Sequence, residues 1–253
     1  MNSQLRIHIL TLFPAMFDSP FKHGVIARAI AKGLIELHML DIRNFSSDPH
    51  QRVDSMRFGG GPGMVLRPEP IAAAIESTGN DRHVIYLTPQ GTPFTQHHSE
   101  RLSALNNLTL LCGRYEGIDE RIRSLYVDEE LSIGDYVLTG GEIPAMVLVD
   151  SIARLVPGVV GKEESVKADS HSSGLLEHPH YTRPRQFKGL SVPEVLLSGN
   201  HANVKLWERR ESLRRTLVTR PEMLQDLALS QDELDWLLEA EPKAARVLQK
   251  KSK

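Results

Sequence analysis

The chain has 253 residues, 40% hydrophobic and 25% charged, which suits a globular protein with a sizeable buried core. Its net charge of −2 argues against polyanion binding over the whole surface, and its single cysteine, Cys112, excludes an intramolecular disulfide. No stretch reaches the roughly 18 apolar residues that span a bilayer. We therefore expect a cytoplasmic protein with no membrane partner.

The charge is unevenly distributed along the chain. From Glu177 onward, 14 Lys and Arg oppose 11 Asp and Glu, whereas the preceding residues carry 16 against 21. Within His178–Arg220, nine bases oppose three acids. A basic segment joined to an acidic one predicts that the second part of the chain contacts phosphate groups.

The first elements predict a buried α/β sheet. Arg6–Leu12 alternates and then becomes apolar, Val25–Lys32 has helical spacing, and Glu36–Ile42 is a second strand. Periodicity is then lost over residues 44–70, which predicts a long loop. Its Gly59–Gly63 segment could hold an anion or form a flexible lid, although it lacks the Lys and Ser/Thr of a P-loop.

Three further strands are predicted at His83–Leu87, Leu108–Cys112 and Val127–Ser132. Each is followed by a loop that contains glycine; in order, these loops are Thr88–Gly91, Gly113–Gly117 and Ser132–Pro144. In open α/β sheets the carboxyl ends of the strands are where ligands bind. The pattern therefore predicts a ligand site built from the three loops.

The helices between these strands are predicted at Pro70–Ser77, Thr95–Leu105 and Asp119–Tyr126. An exposed pair, His97 and His98, is adjacent in sequence and makes a poor metal site.

A nearly all-apolar helix is predicted over Glu142–Val156, and it must be buried in the core or against another subunit. Near its end, Arg154 either pairs with Asp150 or lies beside a substrate.

Gly161–Gly174 reads as an interdomain linker, in which Asp169 is one acid among small and charged residues. His171, His178 and His180 have no spacing that supports a zinc site. Beyond the linker, cations beside an aromatic in Tyr181–Arg185 suit phosphate and base contacts.

Helices follow at Val192–Ser198 and Ala202–Thr219, and a capping box at Ser230 begins a last one. The second of these helices carries four arginines, which form either a nucleic-acid surface or a solvated face.

Several long motifs, in register, resemble the bacterial tRNA (guanine-N1-)-methyltransferases of the SPOUT superfamily. They are FGGGPGM (58–64), LCGRYEGIDER (111–121), SIGDYVLTGGE (132–142), ADSHSSG (168–174), HYTRP (180–184) and VPEVLLSGNH (192–201). The resemblance implies an α/β fold with a SPOUT-type parallel sheet and a deep C-terminal trefoil knot, followed by a small all-helical domain. The expected boundaries are 1–160 for the methyltransferase domain, 161–175 for the linker and 176–253 for the tRNA-binding domain.

The resemblance also implies that the knot binds S-adenosyl-L-methionine, the methyl donor. The residues expected to bind it are Tyr86, Leu87, Pro89, Gln90, Gly91, Gly113, Arg114, Tyr115, Glu116, Ser132, Ile133, Gly134, Tyr136, Val137, Leu138, Gly140, Gly141 and Pro144. Magnesium is associated with the family, but the sequence offers no dedicated ligand cluster.

The implied reaction methylates N1 of the guanosine immediately 3′ of the anticodon of a tRNA. Asp169 is the expected general base and Arg154 the cation that stabilises charge on O6. Ser165, His180, Tyr181 and Arg183 are expected to contact the RNA. The family works as a homodimer in which the partner's linker and helical domain complete each active site.

Three alternatives stay open at this stage. A non-catalytic RNA-binding protein would bind tRNA but would have no saturable site for S-adenosylmethionine. An NAD-dependent oxidoreductase would need a glycine fingerprint after the first strand, which Phe13–Phe21 lacks. Another SPOUT methyltransferase could act on ribose or on a different base.

Overall fold

The computed structural model describes residues 5–161, 169–225 and 227–242. The chain divides into two compact units, with the boundary between Gly161 and Lys162. Each unit has its own hydrophobic core.

The first unit is built on a five-stranded parallel sheet with the strand order β2-β1-β6-β5-β7. Its strands are β1 (Leu5–Thr11), β2 (Ile35–Asp41), β5 (His83–Pro93), β6 (Asn107–Cys112) and β7 (Glu129–Ser132). A separate short hairpin pairs β3 (Asp54–Met56) with β4 (Met64–Leu66) in antiparallel fashion. The predicted α/β class and parallel sheet are confirmed.

Helices cover both faces of the sheet. They are α1 (Gly24–Ala31), α2 (Pro68–Glu76), α3 (Gln96–Ser103), α4 (Glu120–Tyr126) and α5 (Glu142–Ala153). One core cluster joins α1, α3 and α5 to the sheet, and a second joins α2 and α4 to it. Alternating strand residues supply the two clusters: Ile9 belongs to the first and Leu10 to the second. Covering both faces accounts for the apolar strands, since parallel sheets bury both sides.

Two local predictions need correction. The segment predicted as a structureless loop contains the β3–β4 hairpin, whose strands have only three residues each and so leave no periodic signal. His98 is not an exposed partner of His97: it is partly buried, and its ring accepts from the backbone N–H of Thr95 in a capping box for α3. Cys112 is fully buried, and burial raises the pKa of its thiol well above the ordinary value.

The second unit is mainly helical. It contains α6 (His201–Thr219) and α7 (Gln231–Ala240), and Ser230 caps α7 with the predicted capping box. Its core consists of Leu175, Leu213, Leu217, Leu224 and Leu237. The expectation of an all-helical domain is wrong in one detail, because β8 (Gln186–Phe187) and β9 (Leu190–Ser191) form a small antiparallel hairpin. In the described parts of the chain, no helix combines the length and apolarity needed to cross a membrane.

Candidate active site

A cavity of about 410 Å³ lies at the carboxyl ends of β5, β6 and β7, within the first unit. Its walls come from the three glycine-containing loops that follow these strands. The volume is typical of small-molecule sites, which occupy roughly 300–1,000 Å³. Parallel strands place their carboxyl ends at one edge of the sheet, and this explains why loops distant in sequence meet here.

The first loop is an irregular continuation of β5. Pairing of β5 with β7 shifts in register between Leu87 and Thr92, so the intervening residues bulge toward the cavity. Gly91 lies against the backbone of β7, where an added Cβ would come 2.6 Å from the carbonyl carbon of Glu130. A larger residue at this position would separate the two strands.

Arg123, on α4, holds the outer side of the first loop. Its guanidinium donates to the side-chain oxygen of Gln90 at 3.1 Å, and it pairs with both carboxylate oxygens of Glu130 at 2.8 and 2.6 Å. The guanidinium also lies 5.8 Å from the centre of the Tyr86 ring. Burial raises the pKa of the Tyr86 phenol, so this group stays protonated and neutral beside the cavity.

The second loop contains a strained residue. Tyr115 has a φ of +59°, a conformation that non-glycine residues seldom adopt, and the residue is 57% exposed. The neighbouring Glu116 donates its backbone N–H to the carbonyl of Met64 at 3.0 Å. An added Cβ at Gly63 would meet the Glu116 side chain at 2.4 Å, so the glycine-rich segment and this loop are packed together.

The third loop lies close against the second. The N–H of Gly141 donates to the carbonyl of Gly113 at 3.0 Å, and an added Cβ at Gly141 would lie 2.6 Å from the Cα of Cys112. Further along the cavity, the ring of Tyr136 covers Gly134. Glycine is required at 134 for two reasons, since its φ is +149° and the ring fills the space of a side chain.

The structure places around this cavity every residue predicted to bind the cofactor, except Gly91, which instead packs on β7. The cavity also has lining residues that were not named individually. Thr88, Gly117 and Thr139 lie in the predicted loops, whereas Ile118, Glu120, Arg123 and Leu131 lie outside them. Arg123 had no distinguishing signal, since an arginine three residues after a glutamate is ordinary on a solvated helix. Two arginines and two glutamates line the cavity, so its charges balance.

The remaining predicted residues lie elsewhere. Arg154 follows the last residue of α5 and is partly buried, and Asp169 is partly buried at the start of the described part of the second unit. Ser165 falls outside the described residues. The predicted RNA contacts His180, Tyr181 and Arg183 are exposed on the second unit.

An aromatic cluster surrounds these exposed residues. The rings of His178 and His180 are 4.6 Å apart, and the ring of Trp207 lies 6.2 Å from His178 and 6.3 Å from Tyr181. His180 also lies 2.8 Å from a carboxylate oxygen of Glu177.

The arginines of α6 are largely engaged within the second unit. Arg209 pairs with Glu233 at 2.8 Å, Arg214 pairs with Glu211 at 2.7 Å, and Arg215 donates to a backbone carbonyl at 3.1 Å. Arg210 lies over the ring of Trp236. Each of these four arginines therefore contacts another group of the second unit.

In the parts of the chain that the structure describes, no three His, Cys, Asp or Glu side chains converge into a group that could hold a metal ion.

Comparison with known proteins settles the family. A family model described as tRNA (Guanine-1)-methyltransferase TrmD matches residues 5–226. The chain belongs to the tRNA (guanine-1)-methyltransferase family. It is therefore an enzyme of a methyltransferase family, as the motifs predicted.

Relatives within this family match across almost the full chain. A tRNA (guanine-N(1)-)-methyltransferase of Desulforamulus reducens is 50% identical over 240 residues, covering 93% of this chain and 94% of that protein. Proteins with the same name from Geotalea uraniireducens and Synechococcus elongatus are each 52% identical, covering 93% and 91% of this chain. The two alignments cover 96% and 99% of those relatives, so the similarity includes both units.

Proposed function

We propose that this enzyme transfers a methyl group from S-adenosyl-L-methionine to N1 of the guanosine immediately 3′ of the anticodon of tRNA. The observation that carries the proposal is the convergence of three glycine-containing loops around one cavity at the sheet edge, two of which carry the family motifs at 111–121 and 132–142. A non-catalytic RNA-binding protein has no need of such a cavity. The absence of a glycine fingerprint after β1 argues against a dinucleotide cofactor.

The residues around the cavity fit S-adenosyl-L-methionine. Leu87, Ile133 and Pro144 provide apolar walls for an adenine ring, and closely approached glycine backbone provides hydrogen-bonding groups. The carboxylate of Glu116 suits the positively charged end of the ligand. Bound there, the cofactor supplies an activated methyl group on a sulfonium, so the enzyme needs no covalent intermediate of its own.

The chain's own chemical task is to remove a proton from the target base. Guanine N1 is protonated near neutral pH and becomes nucleophilic only when that proton leaves, which requires a base within hydrogen-bond reach. Asp169 is proposed as this base. Arg154 is proposed to stabilise the negative charge that develops on O6, and alignment of the reacting atoms lowers the remaining barrier. The family resemblance assigns these two roles.

The second unit is proposed to hold the RNA. The exposed Tyr181 and Arg183 combine an aromatic ring with a cation, the combination that stacks on unpaired bases and contacts phosphate. His180 and Ser165 are assigned to the same role by the resemblance. The target base lies in a single-stranded loop, so it can be turned outward without melting a duplex.

The enzyme is proposed to act as a homodimer in which the partner's linker and helical unit complete each active site. Support comes from α5, whose buried face packs on the sheet while Ile143 and Val147 remain 48% and 42% exposed on its other side. These two residues are four positions apart and form one apolar ridge. A second copy of the chain would cover that ridge in an isologous contact.

A trefoil knot is proposed for the first unit, in keeping with the family. In the proposed path, the chain leaves the edge strand β7 and is threaded under the loop that follows β6. The close contact of Gly141 with Cys112 and Gly113 supports this path.

Substitution of the proposed base tests the mechanism. Asp169→Asn keeps the shape of the side chain and removes its basicity, so methyl transfer should fall about 100- to 10,000-fold. The dissociation constant for S-adenosyl-L-methionine should stay unchanged, because the cofactor cavity is built by the first unit. The exposed Asp232 of α7 offers a matched control, and Asp232→Asn should retain full activity. Undiminished transfer by Asp169→Asn would remove this residue from the mechanism.

A further inference from the structure

A fully buried carboxylate lies behind the cofactor cavity. Glu142, the first residue of α5, has no exposed surface, and its side chain accepts a hydrogen bond from the hydroxyl of Thr11 at 2.8 Å. Its other oxygen lies 2.8 Å from Nη2 of Arg114, an ion pair by distance without the alignment of a hydrogen bond. A buried carboxylate is costly unless a cation compensates it, so the two charges depend on each other.

The Arg114 side chain connects three separate segments. Its Nη1 donates to the backbone carbonyl of Thr139 in the third loop at 3.0 Å, and its guanidinium lies 4.5 Å from the centre of the Phe13 ring. An added Cβ at Gly140 would meet Nε of Arg114 at 2.3 Å, so the absence of a side chain there makes room for the guanidinium. Arg114 itself belongs to the second loop. It therefore ties that loop to the third loop and to the end of β1.

We propose that the Arg114–Glu142 ion pair is a positioning device that holds the second and third loops at the spacing needed to bind the methyl donor. The inference rests on the proposed function, since it concerns the same cavity. Glu142 does not line the cavity, so it acts on the ligand only through Arg114 and the loop backbone. Arg114 does line the cavity, but its guanidinium is directed to protein groups on several sides.

The proposal separates two roles for Arg114. If the guanidinium bound the cofactor directly, then removing the charge of Glu142 would free it for that task, and affinity would stay the same or improve. If the pair positions the loops, then Glu142→Gln should weaken cofactor binding although this residue touches no ligand. The loss of a charge-assisted contact corresponds to about a 10- to 100-fold change in the dissociation constant.

Calorimetric titration of the full-length protein with S-adenosyl-L-methionine is the test, with steady-state kinetics on unmodified tRNA alongside. For Glu142→Gln, we expect the dissociation constant and the KM for the cofactor to rise about 10- to 100-fold. The value of kcat at saturating cofactor should change less than about threefold, and the KM for tRNA should not change. Arg114→Lys keeps the positive charge but loses the planar guanidinium. Its dissociation constant for the cofactor should lie between those of wild type and Glu142→Gln.

A control variant removes a comparable ion pair away from the cavity. Glu129 pairs with Arg101 at 2.7 Å and is partly buried, and it does not line the cavity. Glu129→Gln should lower the melting temperature and leave the dissociation constant for the cofactor unchanged. This comparison separates loss of cofactor affinity from general loss of stability.

The double variant Arg114→Met/Glu142→Gln covers the case in which single variants fold poorly. With both charges gone, no unpaired charge stays buried, so the double variant should be more stable than Arg114→Met alone. Cofactor affinity should remain low in it.

The outcomes distinguish the two proposals. Wild-type protein that shows no saturable cofactor binding would refute the proposed function itself. If wild-type protein binds the cofactor and Glu142→Gln binds it with the same affinity, only the positioning role would be overturned.

Discussion

Gly141 packs against the backbone of the loop that follows β6, and its replacement by alanine has a calculable effect. The new Cβ would lie 2.6 Å from the Cα of Cys112 and 3.0 Å from the N of Gly113, and both of these are backbone atoms. Carbon atoms pack at about 3.5–4.0 Å, so the third loop must move by about 1 Å. Overpacking of this kind costs about 1–3 kcal/mol in the free energy of unfolding.

The same displacement opens the cavity, because the hydrogen bond from Gly141 to Gly113 joins two of its walls. We expect Gly141→Ala to weaken binding of S-adenosyl-L-methionine at least tenfold in calorimetric titration. Gly161→Ala is the matched control, since an added Cβ at Gly161 meets nothing within 4 Å. Gly141→Ala protein that unfolds at the wild-type urea concentration and binds the cofactor normally would refute this packing argument.

Two further predictions concern stability and assembly. Burial, with the neighbouring His38, lowers the pKa of His8 from 6.5 to about 4. As the pH falls, His8 therefore takes up its proton in the unfolded chain before it does so in the folded protein. Because this favours the unfolded chain, the free energy of unfolding should fall by about 1–2 kcal/mol between about pH 6.5 and 4 for this partly exposed ring. When the free energy of unfolding is measured with urea across this range, it should depend less steeply on pH in His8→Gln than in wild type. The same pH dependence in both proteins would contradict the assignment. The double variant Ile143→Asp/Val147→Asp should convert the proposed dimer to a monomer in sedimentation velocity. Leu125→Asp, at an exposed site on α4, should leave the dimer intact. A double variant that remains dimeric would place the interface elsewhere.

The elements with a continuous apolar pattern could be predicted closely from sequence. β6 is buried on both sides and reads as an apolar run, so the predicted strand differs from the observed one by a single residue. The convergence of the three loops also followed from the sequence, because parallel strands bring their carboxyl ends to one edge.

Features that depend on distant contacts could not be predicted in the same way. An acid such as Glu142 in the first turn of a helix is ordinary, since the helix dipole favours it. Its partners are Thr11, 131 positions away, and an arginine in another loop, and no local pattern encodes that meeting. The bulge in β5 was missed for a related reason, because it depends on the register of pairing with β7.

The most direct test of the account is to find where a methyl group appears on tRNA. Purified enzyme is incubated with S-adenosyl-L-methionine and unmodified tRNA bearing guanosine immediately 3′ of the anticodon, and nucleosides and ribonuclease fragments are analysed by mass spectrometry. The account predicts 1-methylguanosine at that one nucleotide, and no product when adenosine replaces the guanosine. Methyl transfer to ribose or to another base, or no transfer at all, would contradict it.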